Sequence, residues 1–116
     1  MNNKFEQGNV FKMDLDYTIL GLEAKRRPYM IVSSHCGKTD DNYITVLPFR
    51  TRKNARDKWI WEHCLNFNNT RTAIICDKIV TVQRFVFLLP SSEWVGTIEK
   101  EELLKVKRLL KMRLRL

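Results

Sequence analysis

The chain has 116 residues, 44% apolar and 29% charged, with 21 Lys and Arg against 13 Asp and Glu for a formal charge of +8. That balance argues against a disordered tail, a low-complexity segment or a repeat array, and the length fits one domain, 1–116. Residues 1–49 carry six Lys/Arg and six Asp/Glu, so the whole basic excess lies in 50–116, which favours a polyanionic partner: nucleic acid first, an acidic protein second, a membrane surface third.

The opening "MNNKFEQGNVFKMDLD" lacks the apolar core of a signal peptide, and no run reaches the length of a membrane helix. The cysteines, Cys36, Cys64 and Cys76, are odd in number and irregularly spaced, which suits a reducing compartment. A cytoplasmic protein is expected. "NVFKMDLD" alternates, with Phe11, Met13 and Leu15 on one face, and reads as a half-buried strand. "YTILGLEAKRR" reads as a loop with Gly21 as its flexible point. Pro28 then biases Arg27 towards an extended conformation. "YMIVSS" and "YITVLPF" read as an antiparallel pair of strands joined through the turn residues of "HCGKTDDN".

"RTRKNARDK" is a basic connection. "WIWEHCLNF" puts Trp59, Trp61, His63, Leu65 and Phe67 on one face of a strand, and "NNTR" breaks it. "TAIICDKIVTV" is the strongest strand signal, dense in β-branched residues, and "RFVFLLP" reads as one more short strand ended by Pro90. From Glu99 the period becomes helical. Leu103, Val106 and Leu110 form a stripe widened by Leu104, Leu109 and Met112. Glu99, Glu101 and Glu102 in the first turn and Lys111, Arg113 and Arg115 in the last complement the helix dipole. The expected fold is mainly β: a small curled sheet or barrel of five to seven strands followed by one C-terminal helix.

The four glycines are scattered, so no phosphate-cradling loop exists, and there is neither a nucleophile elbow nor a metal-binding helix motif. The dipeptides His35-Cys36 and His63-Cys64 offer zinc-ligand types, but adjacent strand residues point to opposite faces, so ordinary packing is the better reading. The same two histidines would suit an acid–base pair on RNA only if the fold brought them together. Basic loops are more telling. Lys25, Arg26 and Arg27 adjoin one, and Arg50, Arg52, Lys53, Arg56 and Lys58 cluster in another, with Trp59 and Trp61 next to them as either core or base-stacking surfaces. The six basic residues from Lys105 to Arg115 read as the solvated face of the helix.

Five segments in this order resemble the MazF/PemK-type toxins of bacterial toxin–antitoxin pairs: "GNVFKMDLDYT", "RRPYMIVSS", "ITVLPF", "TAIICDKIVTV" and "VGTIEKEELLKVKRLL". The resemblance implies an SH3-like barrel with a C-terminal helix, usually a homodimer. It further implies an endoribonuclease that cuts single-stranded RNA at short sequences with no metal or cofactor, and an antitoxin whose acidic tail occupies the RNA groove. By family position Arg27 stands at the scissile phosphate. The family's threonine position holds Arg50, with Thr51 one residue on. A slip or bulge brings Thr51 to the phosphate; without one, Arg50 faces it. Asp77 matches the acidic position that supports catalysis in some members, while Tyr17 and Val80 depart from the usual proline and arginine. Lys25, Arg26, Arg52 and Lys53 are the expected backbone contacts, Glu23 joins them as an expected nucleic-acid-binding residue, and the loop from Leu20 to Ala24 is the expected gate of the groove. Two alternatives stand beside the nuclease: a catalytically degenerate nucleic-acid binder, and a barrel that poisons a protein such as a DNA-handling enzyme.

Overall fold

The structure, a computed structural model, describes residues 5–15, 25–33, 42–51 and 61–116. Within them the chain makes seven strands and a C-terminal helix: β1 (Asn9–Leu15), β2 (Lys25–Ile31), β3 (Tyr43–Thr51), β4 (Glu62–Phe67), β5 (Thr70–Ile75), β6 (Val80–Gln83), β7 (Glu93–Thr97) and α1 (Lys100–Leu114). The described pairings are antiparallel and run β4-β5-β3-β2-β1-β7, with β6 also on β3. Sheet curvature lets both faces build core. Phe11, Met13, Tyr29, Ile31 and Val46 fill one side, while Leu47, Phe49, Leu65 and Ile74 on the other meet Ile98 and Val106 beneath the helix.

Alternation in "NVFKMDL" and the pairing of the second and third strands are as the sequence predicts. Three elements differ. The apolar run "TAIICDKIVTV" is not one strand. β5 and β6 lie along the same edge of β3, but the register jumps between Phe49↔Ile74 and Val46↔Val80, leaving more residues on the β5–β6 side than on β3. The surplus is absorbed in an irregular stretch from Cys76 to Ile79, where Asp77 and Lys78 need not be buried. "RFVFLLP" is not a strand either. Arg84–Leu88 coils into a 3-10 helix, which turns Phe87 inward to meet Phe5 and Phe11 edge-on at 5.7 and 5.2 Å. β7, unmarked by hydrophobic alternation, forms because β1 has a free edge there. In α1 only Val106 is fully buried; Leu104 and Met112 face solvent, so the packed stripe is narrower than its spacing suggests.

Two asparagines close the β4–β5 hairpin. Asn68 and Asn69 take φ of 50° and 64°, the two left-handed conformations that a two-residue turn needs to match strand twist. The Asn68 amide then donates to the Val95 carbonyl at 3.0 Å, joining this hairpin to β7. Beside that bond Gly96 lies so close to the Phe67 ring that a Cβ there would stand 3.0 Å from it.

Residues 17–24 of the expected loop, 35–41 of the expected turn and 52–58 of the basic connection lie outside the described residues. Lys25, Arg26 and Arg27, expected in or beside the loop, belong to β2, and Arg50 and Thr51 complete β3 rather than starting a connection.

Candidate active site

Prolines decide where the sheet opens. The β2–β3 ladder is regular through Ile31↔Val46, Met30↔Leu47 and Tyr29↔Pro48, and there it stops. Pro28 and Pro48 have no N–H to give, so continued pairing at this end would lack donors. Beyond this point β3 keeps its ladder with β5, from Phe49↔Ile74 to Thr51↔Thr72, while β2 stays on β1. The Arg27 side chain spans the opened corner. Its residue is only 5% exposed, and its Nη1 donates to the Phe49 carbonyl at 3.2 Å. A guanidinium is thus held by backbone at the mouth of the two strands.

That mouth is a cleft of about 380 Å³, within the usual size range of ligand pockets, about 300–1,000 Å³. Its lining includes Lys12, Lys25, Arg26, Arg27 and Arg50, with no carboxylate among the described lining residues. Thr51, Thr70 and Thr72 add hydroxyls, and Phe67 forms part of the wall, edge-on to Phe49 at 5.6 Å. Such a lining attracts a polyanion and can donate many hydrogen bonds to it. A second cleft, between β4 and the β7–α1 junction, has a volume of about 480 Å³ and is electrically mixed, with Arg71 beside Glu99 and Glu102. Its carboxylates make it the poorer seat for phosphate.

The sequence-predicted residues divide within this geometry. Lys25, Arg26, Arg27, Arg50 and Thr51 meet in the first cleft. Glu23, Arg52 and Lys53 fall outside the described residues. Asp77 does not line the cleft; it sits beyond the far end of β5 from Thr70 and Thr72, in the irregular stretch before β6. Its neighbour Cys76 is buried, and burial together with the Asp77 and Glu62 charges pushes the thiol up to about 12, an unreactive state. Arg26 is committed elsewhere: it donates to the Ser91 carbonyl and to Glu93, and lies 4.0 Å from Asp14.

No bulge is present at Arg50 or Thr51, since both pair with β5 in unbroken register. Thr51 reaches the cleft as the exposed last residue of β3, on the same face as Phe49. Arg50, on the opposite face, is clamped by Glu62 through Nε and Nη2, the latter at 2.8 Å. Sequence reasoning missed Glu62 because its burial within a polar-looking "WEHC" is invisible without the partner strand. Lys12 was missed as well; only its register partner Pro28 puts it at the cleft. His63 does not approach the cleft: its Nε2 meets the Glu102 carboxylate on α1.

No curated protein sequence matches the chain. Solved structures do. MazF from Deinococcus radiodurans superposes with a TM-score of 0.74 at 13% identity, with 96% of each chain covered. A mycobacterial endoribonuclease gives 0.72 at 16% identity, over 98% of this chain and 94% of that one. A mycobacterial endoribonuclease bound to its cognate antitoxin gives 0.71 at 16% identity, over 96% and 95%. At such identities the likeness speaks for the fold, a MazF-like curled sheet with a C-terminal helix. The family model for the PemK-like, MazF-like toxin of type II toxin–antitoxin systems matches residues 6–114, nearly the whole chain, and to that family the chain belongs.

Proposed function

We propose that the protein is a toxin endoribonuclease that cuts single-stranded RNA at short sequences, without a metal, in the cleft between the ends of β2 and β3. The carrying observation is the buried Arg27 guanidinium, held by the Phe49 carbonyl inside a lining whose charged described residues are all cationic. In the reaction the 2′-oxygen forms a bond to the adjacent phosphorus and the bond to the 5′-oxygen breaks. The 2′-hydroxyl proton passes to solvent and the leaving oxygen gains one. Charge builds on the non-bridging oxygens, and a guanidinium already fixed there stabilises the transition state more than the ground state. Thr51 supplies a hydroxyl at the rim of the cleft, while Lys12 and Lys25 hold flanking phosphates.

An acidic antitoxin segment suits the same cationic lining, and the antitoxin complex among the structural neighbours supports a partner of that kind. A homodimer is supported by exposed apolar side chains gathered near β6, where Tyr43 pairs with Gln83 and Phe85, Leu88 and Leu89 follow along the 3-10 helix. Arg50, ion-paired where the family has threonine, is the observation that favours a degenerate binder as second reading.

The test is antitoxin-free protein in EDTA with a long single-stranded RNA, beside Arg27→Ala, with the cut ends mapped. Cleavage at a recurrent short sequence, lost in the variant, is expected. Intact RNA with a mobility shift would establish the binder instead, and no cutting with no shift would leave a protein target.

A further inference from the structure

One buried charge pair at the cleft is not used by the chemistry just described. Glu62, on β4, has a side chain with no exposed surface, and Arg50, on β3, is 12% exposed; they join across β5 through two hydrogen bonds. The bond set uses the Nε edge of the guanidinium, the two-pronged geometry in which Arg and carboxylate hold each other most rigidly. Arg50 nonetheless lines the cleft.

We propose that Glu62 is a positioning residue: by neutralising and anchoring Arg50 it keeps a second guanidinium from seizing the scissile phosphate, leaving that phosphate to Arg27. The catalytic half of this inference rests on the ribonuclease reading; the charge half needs only that the cleft bind a phosphate chain. A guanidinium released from its carboxylate in a nearly buried position takes the nearest anion available. In the loaded cleft that anion is RNA. A grip on the ground-state phosphate tightens binding without lowering the barrier, so KM and kcat fall together. Arg50 also follows Phe49, whose carbonyl receives Arg27, so a loosened Arg50 disturbs the peptide that aims the catalytic guanidinium.

The experiment measures binding of a fluorescent oligouridylate and cleavage of a long RNA by the full chain and its variants. In Glu62→Gln the plot of log affinity against log salt, between about 50 and 200 mM, steepens by about 0.7, the value of one added phosphate contact on a single strand. KM falls, and kcat drops by about 10–100-fold, the usual consequence of a misplaced catalytic group. The uncharged Arg50→Gln/Glu62→Gln pair regains the wild-type slope and the greater part of kcat, and Glu62→Asp lies between. An unchanged slope in Glu62→Gln overturns the proposal. So does a slope lower by about 0.7 in the double variant, which would show that Arg50 already holds a phosphate in the wild type. If Glu62→Gln does not fold, the steepening is read in Glu62→Asp, and the double variant still reads the second overturning outcome. A wild-type protein that binds the oligomer but never cuts RNA defeats the ribonuclease reading alone, and the salt slopes still test the clamp.

Discussion

Glu62 and His63 are consecutive residues on β4, yet they serve opposite sides of the sheet. Glu62 turns towards β3 and holds Arg50 at the cleft; His63 turns towards α1 and meets Glu102. The first pair is all but removed from water. In the second, the histidine and glutamate side chains are 15% and 29% exposed, with Lys105 3.7 Å from the same glutamate. The two resemble each other as a count of ion pairs and differ in consequence. On the cleft side, each charge depends on its partner because water cannot replace it. On the helix side, water, Lys105 and leucine packing share the task, and losing one partner costs little.

The comparison can be broken from its strong end first. Glu62→Ala, which takes the buried carboxylate from the Arg50 guanidinium, is expected to destabilise the fold by about 3–5 kcal/mol in chemical denaturation, whereas replacing both partners by Met costs far less or nothing. A loss below 1 kcal/mol for Glu62→Ala, on the order of a surface pair, would erase the distinction. Arg27→Ala is next, with kcat reduced by about 10²–10³-fold, the cost of one oxyanion-type donor, at nearly unchanged stability of α1 by circular dichroism. Glu102→Gln should cost about 1 kcal/mol or less and leave cleavage intact.

That third substitution carries a pH signature. The hydrogen bond from His63, opposed by burial and aided by the charges of His63 and Lys105, holds the Glu102 carboxyl below its ordinary value. A carboxyl depressed on folding contributes stability above its unfolded pKa, and that contribution disappears as pH falls through the folded value. Wild type should therefore lose its advantage over Glu102→Gln in acid, and parallel melting curves across that range would contradict the pairing. Smallest of all, Asp77→Asn should change RNA cleavage by less than about twofold and stability by about 0.5 kcal/mol at most, because an exposed residue away from the cleft has little to lose.

What the sequence made legible follows the same division. Alternation marks strands wherever one face is buried, so the first three strands and the helix were readable from residues such as Phe11, Met13 and Val106. The extended setting of Arg27 was readable too, because Pro28 ties it to a strand. Glu62 was not: its partner lies 12 residues away on a strand separated from it by β5, and nothing local distinguishes a buried glutamate from a surface one. β5 and β6 read as one strand because hydrophobicity does not register a jump in pairing. The 3-10 helix read as a strand because two phenylalanines spaced two apart alternate equally well in either form, and only the distant Phe5 and Phe11 decide that Phe87 turns in.

The contact between Gly96 and the Phe67 ring has a mechanical consequence. Among the described residues β4 and β7 are the two outer strands of the curled sheet, and they meet at this contact and at the bond from Asn68 to Val95. Phe67 and Val95 also line the cationic cleft, so the margin that latches the sheet is a wall of the cleft as well. A methyl group at position 96 would act as a wedge in that seam, at a cost of about 1–3 kcal/mol for an overpacked contact. The gauge of the cleft is set, on this side, by the absence of a single carbon atom.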